Sequence, residues 1–277
     1  MWAQFKRVIK LVISVCFWSG SSLYGRCLGI IGKKQRVLWT ILYYHSVTRE
    51  NQPRFAQQMA EMEGLAKVIP ADTDVPLSEA NHYVSLTFDD GFQSVFENAL
   101  PELINRSIPA AVFIPTGYLG RRPDWIEDHC QDDRGEVVMT GEQIKGLPAD
   151  LITIGSHTVS HSNLRQIGGE VLRRELIESK SRLQGLTGRE ITLLSLPHGE
   201  YDDDVLELAL QTGYRRVFCS LPRLVKEGDP LFGRVHVKPS DWRLEFRLKI
   251  LGAYRWFPFM LGLKRKLTVS NASRAAR

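Results

Sequence analysis

Two adjacent carboxylates, Asp89 and Asp90, follow an apolar, β-branched run over residues 83–88 that predicts a strand. Gly91 comes next and permits a turn with positive φ, so the carboxylates lie where the strand ends. Because successive side chains of a strand point to opposite sides, the two carboxylates cannot do the same job. One can hold a metal ion while the other faces a water or a substrate. Taken alone, the run also fits a plain Asp-Asp-Gly turn without any chemistry.

Two histidines, His157 and His161, follow another predicted strand at residues 151–155. Their spacing of four would place both imidazoles on one face of a helical turn, close enough to share an ion. A His pair and an Asp pair, each at the end of a predicted parallel strand, indicate a metal site more specifically than either pair alone. Ligation by Asp90, His157 and His161 would leave room for water or substrate, as in a catalytic site.

The elements that must position these residues alternate between strands and helices. This order predicts an α/β fold, and about seven strands in roughly 200 residues suit a barrel with short connections. Active sites of such barrels lie at the C-terminal ends of the strands, where the carboxylates and histidines fall. The predicted strands are 41–47, 83–88, 110–115, 151–155, 191–196, 214–219 and 232–237, and the predicted helices are 54–68, 92–107, 141–147, 168–186 and 202–212.

Several runs resemble motifs of the polysaccharide deacetylase family, the NodB-homology group that is like carbohydrate esterase family 4. Residues 87–91 and 156–161 are similar to its first two motifs in order and spacing, and residues 196–201 resemble a variant of its third, Pro-aromatic-Gly. Residues 41–47 resemble its opening strand, so that the resemblance covers residues 37–242. It implies a distorted (β/α) barrel, NodB-like, with a metal-dependent N-deacetylase site at the C-terminal ends of its strands.

The resemblance also implies roles for individual residues. Asp89 would be the general base, and Asp90, His157 and His161 would bind a divalent metal. Zn²⁺ is the expected ion, with Co²⁺ or Ni²⁺ as alternatives; it would polarise an acetamide carbonyl and lower the pKa of a bound water to about 7 in favourable cases. A backbone N–H of the third motif would help to hold the oxyanion. The residues considered for that oxyanion and substrate role are Pro197, His198, Gly199 and Tyr201.

The chain departs from the family pattern at two points. The Leu-x-His motif that supplies the general acid near the end of the barrel in many members is not found there, so the proton donor is left open between His236 and His198, with His45 as a further alternative. The arginine of the third motif, which normally steadies the catalytic aspartate, is also missing, with Leu194 or Ser195 in its place. Without this arginine, it is open how the pKa and the orientation of the general base Asp89 are set.

Charge is distributed unevenly along the 277 residues, whose formal net charge is +5. Residues 1–50 carry eight Lys or Arg against one acid, residues 243–277 carry nine against one, and the middle is acidic. A nucleic-acid binder would more often place basic groups on its folded face, so no nucleic acid is expected as a partner. Basic ends that also carry aromatic residues suggest an anionic membrane surface. We therefore divide the chain into a basic, apolar membrane-associating or signal-like segment (1–35), the barrel (36–242) and a basic, aromatic C-terminal segment (243–277).

Each terminal segment has two interpretations. The N-terminal one is either a signal or signal-anchor, or an amphipathic helix at the membrane interface; its apolar stretch, residues 11–18, is short for a spanning helix of about 20 residues. Residues 242–267, which Pro258 should kink, either pack on the barrel or dock on a membrane, and we favour docking because aromatics stand beside the basic cluster at 264–266. Residues 268–277 are expected to be disordered. The predicted location is membrane-associated, at the cell envelope.

Three functions fit these residues. The first is a metal-dependent hydrolase that removes N-acetyl groups from amino sugars of a surface polysaccharide or a lipid-linked glycan. The second is a metal-binding barrel without turnover that serves as a carbohydrate-binding or scaffold protein, although the intact Asp89 argues against it. The third is a deformylase or amidase acting on another N-acylated sugar. Trp125, in the polar loop 120–140, either stacks on a sugar ring or anchors the loop.

Overall fold

The elements below come from a computed structural model, which describes residues 2–30, 37–74, 82–126, 133–223, 225 and 228–260. Its strands are β1 (Leu38–Tyr44), β2 (Lys67–Val68), β3 (His82–Phe88), β4 (Ala110–Ile114), β5 (Ile152–Ser156), β6 (Leu193–Ser195), β7 (Arg216–Cys219), β8 (Leu231–Gly233) and β9 (Val235–His236). Its α-helices are α1 (Trp2–Ile30), α2 (Gln52–Leu65), α3 (Leu100–Arg106), α4 (Gly141–Lys145), α5 (Gly169–Thr187), α6 (Asp203–Gln211) and α7 (Arg243–Ile250).

One parallel sheet forms the barrel, in the order β8-β7-β6-β5-β4-β3-β1-β9, with the two-residue β2 beside β3. Only Arg234 separates β8 from β9, yet β8 pairs with β7 while β9 pairs with β1. One short segment therefore joins both edges of the sheet and nearly closes it. The predicted distorted (β/α) barrel of about seven parallel strands is confirmed, since β8 and β9 together occupy one position in the ring.

The strands are apolar on both faces because both faces are covered. All seven residues of β1 are buried, which is typical of a parallel sheet. Residues that point into the barrel form a small aromatic-rich cluster, whereas the opposite faces pack against the helices in a larger one. The inner cluster includes Trp39, Ile41, Phe113, Phe218 and Phe232.

The predicted elements recur with shifted bounds, and the helix predicted at residues 92–107 also contains an irregular turn. The chain is helical over residues 93–106, as predicted, but Val95–Ala99 form a π-helical turn that runs directly into α3 at Leu100. Pro101 comes just after this turn, and proline lacks the N–H that a regular helix would need there, which is a common cause of helix irregularity. The predicted strand 232–237 is likewise divided into β8 and β9 at Arg234.

The N-terminal helix is longer and more apolar than the run at residues 11–18 suggested. Gln4–Gly25, 22 residues with a mean hydropathy of 1.4, is long and apolar enough to cross a membrane by length and composition. Signal sequences meet the same criterion, so this helix fits a signal or an anchor.

The described part of the C-terminal segment packs on the barrel. Helix α7 contacts α2 and β1, and it buries Phe246, Leu248 and Ile250. Phe259 and Met260, in a short helical stretch at residues 257–260, are exposed. The basic cluster at 264–266 and the tail at 268–277, for which membrane docking and disorder were expected, lie outside the described residues.

Candidate active site

The two neighbouring carboxylates diverge because the backbone turns sharply between them. Strand β3 ends at Phe88, and Asp89 continues its ladder by donating its N–H to the carbonyl of Tyr44 at 2.9 Å. Asp90 then adopts φ 64° and Gly91 φ 56°. A left-handed conformation at an aspartate is uncommon, and it turns the second carboxylate away from the first. The two groups consequently face different partners, as the sequence predicts.

Asp90 meets the two histidines in a buried cluster. Its Oδ1 atom lies 3.5 Å from Nε2 of His157 and 3.3 Å from Nε2 of His161, and one ligand atom from each of the three residues falls within 4.8 Å of the others. Among the described residues, Oδ1 of Asp90 and Nδ1 of His161 are buried without any hydrogen-bond partner. Buried polar atoms are nearly always satisfied, so Oδ1 of Asp90, which faces Nε2 of both histidines, marks a place where something else binds.

The donor set fits a divalent cation. Two imidazole nitrogens and one carboxylate oxygen are the ligands of many catalytic zinc sites, in which a further position stays open for water or substrate. Nδ1 of His157 lies 2.8 Å from the carbonyl oxygen of Ser195, which fixes the proton on Nδ1 and leaves the lone pair of Nε2 facing Asp90. Burial lowers the pKa of His157 to about 4, so this ring is neutral near pH 7, as a ligand must be.

The two histidines do not lie on a helical turn, and that prediction is wrong. Residues 157–161 form a loop in which Thr158 (φ 67°) and His161 (φ 57°) are left-handed. Glu175 of α5 holds this loop by accepting the N–H groups of Val159 at 2.8 Å and Ser160 at 2.9 Å. The imidazoles therefore converge through a loop fixed from α5 and not through helical periodicity.

Asp89 forms a two-pronged ion pair with Arg234. Nη1 and Nη2 of the arginine each lie 2.7 Å from a different carboxylate oxygen, and the guanidinium is fully buried. It also donates to Thr87 Oγ1 at 3.2 Å and to Ser195 Oγ at 2.7 Å. In the sequence, Leu194 or Ser195 stands where the third motif of the family has an arginine. The structure supplies the guanidinium from Arg234, at the junction of β8 and β9, so the general-base candidate does have an arginine partner.

The ionisation of Asp89 follows from this pairing. Burial alone would raise the pKa of the carboxyl, but the Arg234 guanidinium outweighs burial and holds the pKa well below its usual range. Asp89 therefore stays an anion at every pH at which the protein is expected to work. A carboxylate must be ionised to accept a proton, so this pairing is compatible with the role of a general base.

The third motif contributes one cavity-lining side chain. Residues Pro197–Gly199 form a 3₁₀ turn in which His198 takes φ 60°, with its ring centre 5.0 Å from that of His161. Gly199 has φ 68°, and a Cβ there would lie 2.3 Å from the Ser220 hydroxyl, so glycine is required. The N–H of Gly199 already donates to Leu196 O, and Pro197 has no N–H, so neither offers a donor to an oxyanion. Tyr201 lies apart from the cavity and accepts from Arg223 at 3.2 Å.

His236 lies on the opposite side of the cavity, in a cluster of rings. Its centre is 5.0 Å from that of Tyr43 and 5.1 Å from that of His45. Burial, followed by the nearby His45 ring, lowers the pKa of His236 well below its ordinary value. Burial also lowers the pKa of His198. Both acid candidates are thus neutral at rest and would have to take up a proton before they could give one.

Trp125 forms a wall of the site. Its ring stacks on His161, with centres 4.0 Å apart and planes 14° apart, and Tyr118 packs edge-on against its other side. The cavity so enclosed measures about 440 Å³, the size of a small-ligand site. Its described lining residues include Tyr43, His45, Asp89, Asp90, Trp125, His157, His161, His198, Ser220, His236 and Lys238.

The family model for polysaccharide deacetylase matches residues 78–217, half of the chain, and this stretch contains both carboxylates, both metal-site histidines and the third motif. The chain belongs to the polysaccharide deacetylase family. It is accordingly a carbohydrate N-deacetylase, a hydrolase of carbon–nitrogen bonds other than peptide bonds. Arg234 lies outside the matched stretch.

Individual relatives agree with this membership. YxkH of Bacillus subtilis, which is named for the same family, is 24% identical over 213 residues that cover 72% of this chain and 71% of that protein. A chitooligosaccharide deacetylase of Azorhizobium caulinodans is 24% identical over 139 residues, which cover 50% of this chain and 58% of the relative. The structure of IcaB from Ammonifex degensii superposes with a TM-score of 0.62 at 24% identity, covering 78% of this chain and all of that one, which shows the shared fold.

Sequence reasoning missed two residues of this site. Arg234 was noticed only as part of a closing strand, although a charged residue inside an otherwise apolar strand was a signal that could have been used. Glu175 gave no signal, because a glutamate in a helix rich in Glu and Arg is ordinary. The residues placed together as predicted are Asp89, Asp90, His157 and His161.

Proposed function

We propose that this protein removes N-acetyl groups from amino sugars of a surface polysaccharide or a lipid-linked glycan. We further propose that Asp90, His157 and His161 bind a divalent metal ion, for which Zn²⁺ is our first choice. The observation that carries this proposal is a buried carboxylate oxygen without a hydrogen-bond partner, between two imidazoles and beside the ionised Asp89. When bound, such an ion polarises the acetamide carbonyl and acidifies the attacking water. Co²⁺ or Ni²⁺ would satisfy the same donor set.

The residues divide the proton transfers between them. Asp89 takes the proton of the water whose oxygen attacks the carbonyl carbon, and Arg234 keeps the carboxylate in place while it does so. The carbon–nitrogen bond then breaks, and the leaving amine needs a proton. His236, near Asp89, and His198, against the ring of His161, are the first candidates to relay it, and His45, beside the ring of His236, is the further alternative. Substituting each by glutamine and comparing kcat identifies the donor, because loss of the general acid lowers kcat by about 10²-fold or more.

The alternative of a barrel that binds sugars without turnover loses its main support. It rested on the missing arginine of the third motif and on the missing Leu-x-His motif, and the first ground falls because Arg234 pairs with Asp89. A purely structural metal site would not need a second, clamped carboxylate beside it. The deformylase alternative keeps the same residues and differs only in the acyl group.

The test is product release from paired substrates. Protein stripped with chelator and reloaded with Zn²⁺ is given N-acetylated and N-formylated glucosamine oligomers, beside Asp89→Asn. We expect acetate release that needs Zn²⁺ and is lost in the variant. Formate release that exceeds acetate release would favour the deformylase. No release from either substrate, with zinc bound, would contradict the proposal.

A membrane surface is the proposed second partner. Helix α1 exposes Trp2, Phe5, Ile9 and Val12, and Lys6 and Lys10 lie beside them. Apolar and cationic side chains together suit the headgroup zone of an anionic bilayer. Sedimentation with phosphatidylglycerol vesicles, compared with phosphatidylcholine vesicles, measures this directly.

A further inference from the structure

Helix α1 turns a polar side towards the folded domain and an apolar side outward. Arg7, Leu11 and Ser14, which share one face of the helix, lie against the domain, and Ser14 is fully buried. At about 100° per residue, Phe5 and Val12 fall on the opposite face, where both are more than half exposed. A helix on the surface of a globular protein normally does the reverse and buries its apolar stripe. The outward face of α1 therefore has the character of a contact surface.

A network of ion pairs holds α1 on the domain. Arg7 donates to Glu245 at 2.7 Å and lies 3.7 Å from Asp241. Lys249 contacts the same two carboxylates, Asp241 at 2.6 Å and Glu245 at 3.4 Å. The Arg7 guanidinium also lies 4.3 Å from the centre of the Trp242 ring. Without α1, one of the two cations paired with these largely buried carboxylates would be missing, so α1 belongs to the folded protein.

The same contacts exclude that α1 crosses a bilayer while it is docked. Ser14 lies in the middle of Gln4–Gly25, the stretch long enough to span, and it accepts a hydrogen bond from Trp256 Nε1 at 2.9 Å. The contacts from Arg7 to Ser14 extend along about 10 Å of helix, at 1.5 Å per residue. In a spanning orientation, the charged groups around Arg7 would have to enter or approach the hydrocarbon core, which is costly. The geometry fits a helix in the plane of the bilayer surface, with one face in lipid and the other on the domain.

The charge of α1 decides between a bilayer and a second copy of this chain as the partner. Trp2–Ile30 contains four Lys or Arg and no Asp or Glu. Two copies that packed these faces together would bring like charges into proximity, which opposes association. Anionic headgroups neutralise the same charges, and Lys6 and Lys10, at one border of the apolar face, can reach them with their long side chains. The observations therefore favour an anionic bilayer.

Helix α1 also contacts the rim of the active site. Arg7 donates to the carbonyl oxygen of Ser240 at 3.1 Å, and Ser240 lines the active-site cavity. An α1 that lies in the plane of the bilayer surface therefore keeps this edge of the cavity close to that surface.

We propose that α1 is an in-plane membrane anchor that stays docked on the domain through Arg7 and immerses Phe5, Val12 and Leu23 in the headgroup zone of an anionic bilayer. Leu23 lies on the same face as Phe5 and is also more than half exposed. This inference rests on the membrane partner proposed above. It adds the orientation of α1 and the position of the active-site rim at the bilayer surface.

The test measures how deeply the outward face enters the bilayer. Spin labels are attached at Phe5→Cys, Val12→Cys or Leu23→Cys in the full-length protein, with the native cysteines replaced by serine, on vesicles of phosphatidylglycerol and phosphatidylcholine. Collisions with oxygen and with a water-soluble nickel complex give the depth of each label. The outer two positions are about 27 Å apart along the helix. We expect all three labels at one depth, about 5–10 Å into the headgroup and acyl boundary, and a label at Glu178→Cys, on the partly exposed side of α5, in water.

Two other depth profiles would overturn the inference. A label at residue 12 that is deepest, with those at residues 5 and 23 near opposite surfaces, shows a spanning helix. Labels that stay in water on sedimented vesicles show that another partner, such as a second copy, covers the face. Protein that does not sediment with the vesicles contradicts the membrane partner itself. Because no substrate is used, each of these results is distinct from failure of the deacetylase, which acetate release measures.

A second measurement tests the Arg7 contact. The distance between labels at Val12→Cys and Glu178→Cys should have one narrow distribution in the wild-type background, because α1 is docked. Arg7→Gln should broaden this distribution, since it removes the ion pairs with the domain. Lys6→Gln is the matched control, because Lys6 contacts Trp2 of the same helix, and it should keep the distribution narrow. An unchanged distribution in Arg7→Gln would contradict the role of Arg7 in docking.

Discussion

The two halves of the active site are equally buried but differ in how their polar groups are satisfied. In the clamped half, made of Asp89, Arg234, Ser195 and Thr87, the carboxylate oxygens and the guanidinium have partners at 2.7–3.2 Å. In the open half, made of Asp90, His157 and His161, the carboxylate oxygen that faces Nε2 of both histidines has no hydrogen-bond partner among the described residues. The difference shows that one half is complete as a protein structure, whereas the other is complete only with a bound ion.

The backbone repeats this contrast. Thr87 and Ser195 belong to regular parallel strands, and Asp89 continues the ladder of β3. Asp90 and His161, as well as Thr158 between the histidines, have positive φ. Left-handed backbone at residues other than glycine is costly and persists where surrounding contacts enforce it. The strain is thus confined to the half that would hold the ion.

Removal of the clamp should have the largest effect on stability. Arg234→Met leaves Asp89 as a buried carboxylate without its main partner, so the free energy of unfolding should fall by about 3–5 kcal/mol. The additional change Asp89→Asn should recover much of that loss, because it removes the uncompensated charge. Urea denaturation at pH 7 measures both variants, and a loss below about 1 kcal/mol in Arg234→Met would show that the pair is not a unit.

The Asp89–Arg234 pair also predicts that the stability of the protein falls in acid. A carboxyl whose pKa is lower in the folded than in the unfolded protein stabilises the fold above its unfolded pKa of 3.8, and this stability is lost as the pH falls toward the folded pKa. Wild type should therefore lose more stability than the Arg234→Met/Asp89→Asn double variant on acidification below about pH 4. Parallel denaturation curves between pH 5 and pH 3 give this comparison, and equal losses would contradict it.

In the open half, removal of a ligand should abolish metal binding without affecting the clamp. His161→Ala should weaken zinc affinity by more than about 100-fold, since changes next to ligands alone cost 10–100-fold. Its stability without metal should fall only through the lost packing of the buried ring against Trp125, because Nδ1 of His161 has no described hydrogen-bond partner to lose. Competition with a chelating dye measures the affinity. Unaltered zinc binding would remove His161 from the site.

A substitution that only loosens the loop between the two histidines should affect the metal site less than removal of a ligand. Glu175→Gln keeps the shape of the side chain but removes the charge that accepts two backbone N–H groups. Zinc affinity should fall by about tenfold, as for other groups that orient ligands. Glu178→Gln, on the same helix and paired with Arg182, is the matched control and should bind zinc like the wild type. Equal zinc affinities of the two variants would show that Glu175 does not position the histidines.

The smallest expected effect lies beside the site, at Glu136. Burial raises the pKa of its carboxyl from 4.5 to about 7, so the folded protein binds a proton there that the unfolded chain has already lost. Stability contributed by the protonated form is therefore lost as the pH rises from 4.5 to 7. Because the side chain is partly exposed, Glu136→Gln should raise stability at pH 8 by only about 1 kcal/mol. Thermal denaturation at pH 5 and pH 8 checks this, with the exposed Glu142→Gln as control.

The contrast between the halves also explains what the sequence could predict. Alternating apolar runs were sufficient for the barrel, and residues at strand ends were sufficient to bring Asp89, Asp90, His157 and His161 together, because parallel strands present their C-terminal ends at one mouth. The helical turn failed because a loop with positive φ at Thr158 has the same residue spacing as a helix. Arg234 was missed because its meaning depends on β8 and β9 pairing with opposite edges of the sheet, which is a property of the closed barrel and not of a local run.

The most direct test of this account measures zinc binding and acetate release in two neighbouring variants, Asp89→Asn and Asp90→Asn. The account predicts that Asp89→Asn binds zinc like the wild type but loses acetate release from N-acetylglucosamine oligomers by about 10³-fold, as expected for removal of a general base. Asp90→Asn should lose both zinc binding and activity. Weak zinc binding in Asp89→Asn, or full activity in either variant, would contradict the division of the site into a clamped base and an open metal half.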